Sequence, residues 1–224
     1  MNGMKKVIYV LVGIVLLSGC NTLTTVINKN MEEKYYVGAT LEEQRVVIGN
    51  YDIPLPKGEW SVIWNNYREN AMNRSDPRSA NVRRSHSDVD ILLKSSDSAP
   101  KFVFIHALLR VNQGFRYMND NPCVPDRFRG ESIVDKDTLY DKSCARLAKY
   151  SFERFFNKNH DAAETVSALF KGKTFQKQHY VFSHKNQNGG KISFVTYALP
   201  TTGISLDKAK NMLAQQKERV TEAF

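Results

Sequence analysis

Cysteine is scarce in this chain of 224 residues, with only Cys20, Cys123 and Cys144. Three cysteines cannot form a disulfide-dense scaffold, so the fold has to be held by an ordinary hydrophobic core. Apolar runs are short as well. The longest at the N-terminus, Val7 to Leu17, has eleven residues, whereas a helix crossing the hydrocarbon layer needs about 20. Signatures of chemistry are also missing. The chain has no Gly-x-Ser-x-Gly elbow, no His-Glu-x-x-His, no phosphate-cradling glycine loop and no Cys-His zinc spacing. No catalytic residue, metal ligand or cofactor is therefore expected. From residue 165 to 206 there is not one aspartate or glutamate, while Lys171, Lys173, Lys177, Lys185 and Lys191 all fall within that stretch.

What is present begins with an export pattern. Lys5 and Lys6 precede the apolar run, and Ser18-Gly19 supply small residues ahead of Cys20. Leu17-Ser18-Gly19-Cys20 resembles the lipobox of bacterial lipoproteins. The resemblance implies cleavage before Cys20, a diacylglyceryl group on its thiol and three acyl chains in all. Such anchoring is far firmer than that of one myristoyl chain. In that family an aspartate after the lipidated cysteine tends to retain the protein at the inner membrane. Asn21 stands here, which points to the periplasmic side of the outer membrane, with the inner membrane as the alternative. The organisation expected is a signal peptide over 1–19, a lipidated tether over 20–34 and one α+β domain over 35–224.

Loss of Lys5 and Lys6 lowers the formal charge of +9 to +7, a balance that favours anionic surfaces. In a periplasm these are lipid phosphates, acidic headgroups and peptidoglycan carboxylates. Nucleic acid is not an expected partner there. Hydrophobic residues at 42% and aromatic residues at 11% fit a packed domain. With Cys20 consumed by lipid, Cys123 and Cys144 form an even pair in an oxidising compartment, and a disulfide between them is expected. It would close a loop of 22 residues, contributing about 3 kcal/mol in the chain-entropy account.

The periodicities predict an antiparallel β-sheet or sandwich with a C-terminal amphipathic helix packed on it. Arg45 to Tyr51 reads as a strand halted by Pro54 and Pro56, and Glu59 to Tyr67 as its hairpin partner, with Trp60, Val62 and Trp64 on one face. The Pro-Leu-Pro-x-Gly-x-Trp stretch from Pro54 to Trp60 resembles uncharacterised exported bacterial proteins and implies no activity. Asn66 to His86, with Arg68, Arg74, Arg78, Arg83 and Arg84, reads as a long surface loop. Val89, Ile91 and Leu93 alternate in a strand. Phe102 to Leu109 is so continuously apolar that it should lie centrally, covered on both faces. His106 within it reads as a hydrogen-bonded core residue. Asp88 and Asp90 share a strand face, taken to be exposed.

Gly114 to Lys142 is polar. Ser143 to Asn157 reads as a helix, although its alternation also permits a strand. Asp161 should cap a helix ending near Phe170. Lys185-Asn186-Gln187-Asn188-Gly189-Gly190 marks a hairpin turn between strands over His179 to Ser183 and Lys191 to Leu199. The last helix starts at Ser205 and runs Leu206, Ala209, Met212, Leu213, Gln216 and Val220 along one side.

Two function classes follow. The first is a non-enzymatic envelope lipoprotein that binds an anionic envelope component or an envelope protein complex through basic residues, namely Lys171, Lys173, Lys177, Lys185 and Lys191, with Arg83 and Arg84. The second is a periplasmic hydrolase acting on cell-wall or lipid material.

Overall fold

A computed structural model describes residues 31, 33–49, 51–72, 85–110, 131–137, 141–156, 161–171, 178–188 and 191–222. Ten strands occur among them. They are β1 (Thr40–Leu41), β2 (Arg45–Ile48), β3 (Tyr51–Pro54), β4 (Trp60–Met72), β5 (Ser85–Ser95), β6 (Phe102–Arg110), β7 (Glu131–Asp137), β8 (Asp141–Ser151), β9 (Gln178–Asn188) and β10 (Lys191–Pro200). A short helix (Ala163–Phe170) lies between β8 and β9, and a longer one (Leu206–Glu222) follows β10. This is the α+β arrangement the periodicities predict, an antiparallel sheet carrying a C-terminal helix.

Eight strands form one sheet in the order β1-β4-β5-β6-β10-β9-β8-β7, and β2 and β3 form a separate hairpin. Two meanders therefore lie side by side and meet where β6 pairs with β10, from Ile192 opposite Leu108 to Ala198 opposite Phe102. The continuous apolar run of β6 has its reason in that position. Its odd residues Val103, Ile105 and Ala107 and its even residues Phe102 and Phe104 are buried in two different clusters, one on each face. An inner strand covered on both sides needs both parities apolar.

One face is covered by the β2–β3 hairpin and the C-terminal helix. Val46, Ile48, Tyr51 and Ile53 of the hairpin pack with Val89, Ile91, Leu93, Val195, Tyr197 and Leu199 of the sheet and with Ala209 and Val220 of the helix. The helix starts as its sequence predicts, with Ser205 Oγ accepting from the Lys208 amide at 3.2 Å. Gln216, which interrupts its apolar stripe, is 5% exposed. Its amide donates to the Tyr197 hydroxyl and to the Pro54 carbonyl, so the interruption serves the one polar group that Tyr197 brings into this core.

Burial raises the Tyr197 hydroxyl well above the usual value of 10.0, against smaller opposing effects of the Gln216 hydrogen bond and the Arg219 charge. The folded state thus keeps a proton that the unfolded chain gives up. Stability is undiminished by this group below pH 10 and falls as pH rises beyond it. Denaturation midpoints followed upward through pH 10 should drop, and the drop should be shallower in Tyr197→Phe.

The opposite face carries an aromatic cluster. Phe102, Phe104, Phe152, Phe156, Phe170, Val166 and Val181 are buried together, under the short helix and a 3-10 turn at Phe152–Phe155. Phe102 and Phe152 stack at 4.9 Å, and His179 packs against Phe102, Phe152 and Phe170 at 5.6, 5.9 and 6.0 Å.

Several expectations change. Ser143 to Ser151 is strand, not helix, because β8 is paired on both sides, by β7 and β9, and the 3-10 turn takes only Phe152–Phe155. The hairpin partner of β2 is β3 rather than the strand at Trp60, the chain reversing at Gly49, whose φ is 57°. A register shift between Val62 and Trp64 moves Trp64 across the sheet. Trp60 and Val62 join the hairpin-side core, while Ile63 and Trp64 pack on the aromatic side, since one inserted residue inverts the alternation. The expected loop from Asn66 to His86 is strand at both ends, to Met72 and from Ser85, and residues 73–84 lie outside the described set. Glu131–Asp137, inside the polar stretch, forms the sheet edge. Asp161 does not cap the short helix, whose N-cap is Ala162 without a side-chain hydrogen bond.

Candidate functional site

A cluster of charged and polar side chains lies on the aromatic side of the sheet, where β4, β5 and β6 run together. Asp90 is paired with His106 of β6 and with Asn66 of β4, and Asp88 with Arg68 of β4. Cross-strand neighbours share a face, so register alone brings these side chains together. Arg68 Nε donates to Asp88 Oδ1 at 3.0 Å and Nη2 to Asp90 Oδ2 at 3.2 Å. His106 Nδ1 donates to Asp90 Oδ1, because a carboxylate only accepts. Asp161, at the head of the short helix, lies 3.7 Å from Arg68 Nη1 and accepts from Asn66 Nδ2 at 3.2 Å.

The carboxylates are not on an exposed face. Side-chain exposure is 6% at Asp88 and 4% at Asp90, against 46% at Arg68. Two buried anions are thus held by one half-exposed guanidinium. Burial works against the Arg68 charge, but the hydrogen bond to Asp88 and the charges of Asp88, Asp90 and Asp161 outweigh it and hold the guanidinium above its usual value. The cluster fastens three strands and the start of the short helix to one another. His106, expected as a hydrogen-bonded core residue, is hydrogen-bonded to Asp90 but is not in the core, since 28% of its side chain is exposed.

A second polar pair sits on the hairpin side, where Ser143 Oγ lies 3.2 Å from His184 Nε2. Both residues are buried, at 4% and 1%. His179 and His184 fall on opposite faces, as their spacing predicts, one among phenylalanines and the other beside Ser143. Among the described residues no three His, Cys, Asp or Glu side chains are grouped to hold a metal ion. No helix among them is long and apolar enough to cross a membrane.

Several sequence-derived candidates lie outside the described residues: Cys20, Cys123, Arg83, Arg84, Lys173 and Lys177. Lys171 is exposed at the C-cap of the short helix. Lys185 is paired with Phe194 and Cys144, and Lys191 with Asn188. Cys144 is 6% exposed on β8.

The Arg68–Asp88–Asp90–His106 cluster is not legible in the sequence, because its members come from three strands whose register only the fold supplies. Asp88-x-Asp90 within an alternating apolar strand is its visible sign. No family model, curated protein or solved structure matches this chain.

Proposed function

We propose that this is an exported lipoprotein, anchored through acylated Cys20 on the periplasmic side of the outer membrane, whose α+β domain binds or supports an envelope component rather than catalysing a reaction. The observation that carries the reading is Leu17-Ser18-Gly19-Cys20 behind Lys5, Lys6 and an eleven-residue apolar run. The polar cluster on the aromatic side agrees with a structural role, since its buried carboxylates are taken up by Arg68 and His106. We propose too that Cys123 and Cys144 are joined, a reading supported by the burial of Cys144 and by the even pair left after lipidation.

Mass spectrometry of protein from its native envelope tests both. The mature N-terminus should be an acylated Cys20, and non-reducing peptide maps should join the Cys123 and Cys144 peptides. An intact Met1 or an unmodified Cys20 would remove the anchor. Freely alkylated Cys123 and Cys144 would remove the disulfide.

The ligand class proposed is anionic, a phosphate or carboxylate of the envelope, from the acid-free run of residues 165–206 with its five lysines. Near an anionic membrane surface each lysine contributes on the order of 1 kcal/mol. Vesicle binding by the non-lipidated domain should fall steeply with salt and be abolished by charge reversal at Lys177, Lys185 and Lys191. Binding indifferent to both would leave the lysines as solvated positions on the sheet.

The hydrolase alternative draws on the Ser143–His184 pair, a hydroxyl within reach of an imidazole. Their near-complete burial places it second.

A further inference from the structure

Large hydrophobic side chains are exposed among the described residues at Tyr36, 54%, Val37, 59%, and Leu206, 45%. The first two are consecutive, and the backbone around them is held from several directions. Tyr35, the preceding residue, is 5% exposed in the hairpin-side core. Its hydroxyl donates to the Val47 carbonyl and accepts from the Val47 amide, and its own carbonyl accepts from the Asn65 side chain. On the far side Gly38 takes φ 99°, a conformation that side-chain-bearing residues rarely adopt, and its amide donates to the Val62 carbonyl at 2.8 Å. The Ala39 amide donates to the Tyr36 carbonyl at 2.9 Å and closes the turn. A turn pinned at both ends cannot rotate Tyr36 and Val37 inward, so the fold presents them outward.

Their place in the chain says what they meet. They lie 16 and 17 residues after Cys20. Met31, 6% exposed, is already packed in the same core as Tyr35, so only eleven residues of chain separate Cys20 from that core. Even fully extended these reach no more than about 40 Å, so an acylated Cys20 keeps the turn close to the bilayer at high effective concentration. Tyrosine suits such a boundary, with an apolar ring and a polar tip. Surrounding charge is mixed rather than basic. Lys34 and Arg45 are offset by Glu42 and Glu43, and Arg45 is already bound to Glu43 at 2.9 Å and Asp52 at 3.3 Å.

We propose that the Tyr36–Val37 turn is a lipid-contact site, which seats the domain on the phospholipid surface at the headgroup and acyl boundary and so sets its orientation. The site rests on the acylation of Cys20 proposed above. It differs from the lysine contact in kind, because apolar insertion is insensitive to salt whereas attraction between lysines and anionic lipid is screened.

The full-length lipidated protein, reconstituted into vesicles of phosphatidylethanolamine and phosphatidylglycerol with brominated acyl chains, provides the test. Tyr36→Trp adds a reporter at the turn. Glu164→Trp adds one at an exposed position of the short helix, across the sheet. The emission added by Tyr36→Trp should be mostly quenched and shifted to the blue, unchanged at high salt, while that added by Glu164→Trp stays unquenched. An acylated, vesicle-bound protein in which the emission added by Tyr36→Trp is unquenched overturns the contact alone. Equal quenching at both positions overturns the orientation. Absence of acyl mass on Cys20 overturns the anchor and the contact together.

Discussion

Phe102→Ala is expected to destabilise the domain by about 3–5 kcal/mol, the range for removing a large aromatic from a packed core. Phe102 is 1% exposed on an inner strand. It stacks on Phe152 at 4.9 Å and meets Phe170 at 5.7 Å and His179 at 5.6 Å, so it touches the sheet, the 3-10 turn and the short helix at once. Its partners sit on elements fixed elsewhere, which limits how far they can close on the space left. Urea denaturation of Phe102→Ala beside Leu206→Ala, an exposed position, measures the effect. Equal losses in the two variants would mean that the aromatic cluster collapses freely and contributes little beyond surface contact.

Arg68→Ala is expected to cost about 2–3 kcal/mol. Removing one partner of a fully buried pair costs more, roughly 3–5 kcal/mol, but Arg68 is 46% exposed and water already screens part of its attraction. What sets the loss is the pair left behind, Asp88 and Asp90, both buried and both deprived of the guanidinium they share. The remedy distinguishes this cause from lost packing. Adding Asp88→Asn or Asp90→Asn to Arg68→Ala should recover part of the stability, whereas each asparagine alone should destabilise the native protein. A purely additive cycle would show that the residues do not act as a network.

The sequence disclosed most where one residue's surroundings depend on near neighbours. The pairing of β9 with β10 followed from the glycines between them, although Lys185–Asn188, read as turn, extend β9, the C-terminal helix from Ser205 and the stripe through Ala209 and Met212, and the central place of β6 from an apolar run of both parities. It disclosed least where long-range pairing decides. Ser143–Ser151 has apolar residues at spacings that suit helix and strand alike, and only pairing with β7 and β9 resolves them. The bulge near Ile63 inverts Trp64 with no glycine or proline to announce it. Asp88 and Asp90 look like residues of a solvated face until the short helix and Arg68 are placed over them.

The seam at β6 and β10 also bears on the order in which the chain can be completed. β4, β5 and β6 are neighbours in sequence and can pair as soon as residue 110 is available, yet the partner on the open side of β6 begins only at residue 191. A chain completed from its N-terminus exposes that edge, Phe102-Val103-Phe104-Ile105 onward, until nearly the whole sequence is available. An unpaired apolar edge invites pairing with another chain, and contacts this distant in sequence form slowly. The hazardous interval in the folding of this protein is therefore the one before β10 is available. A holdase that shields β6 during that interval should raise the yield of folded protein, and truncation before β10 should yield aggregates rather than a smaller soluble domain.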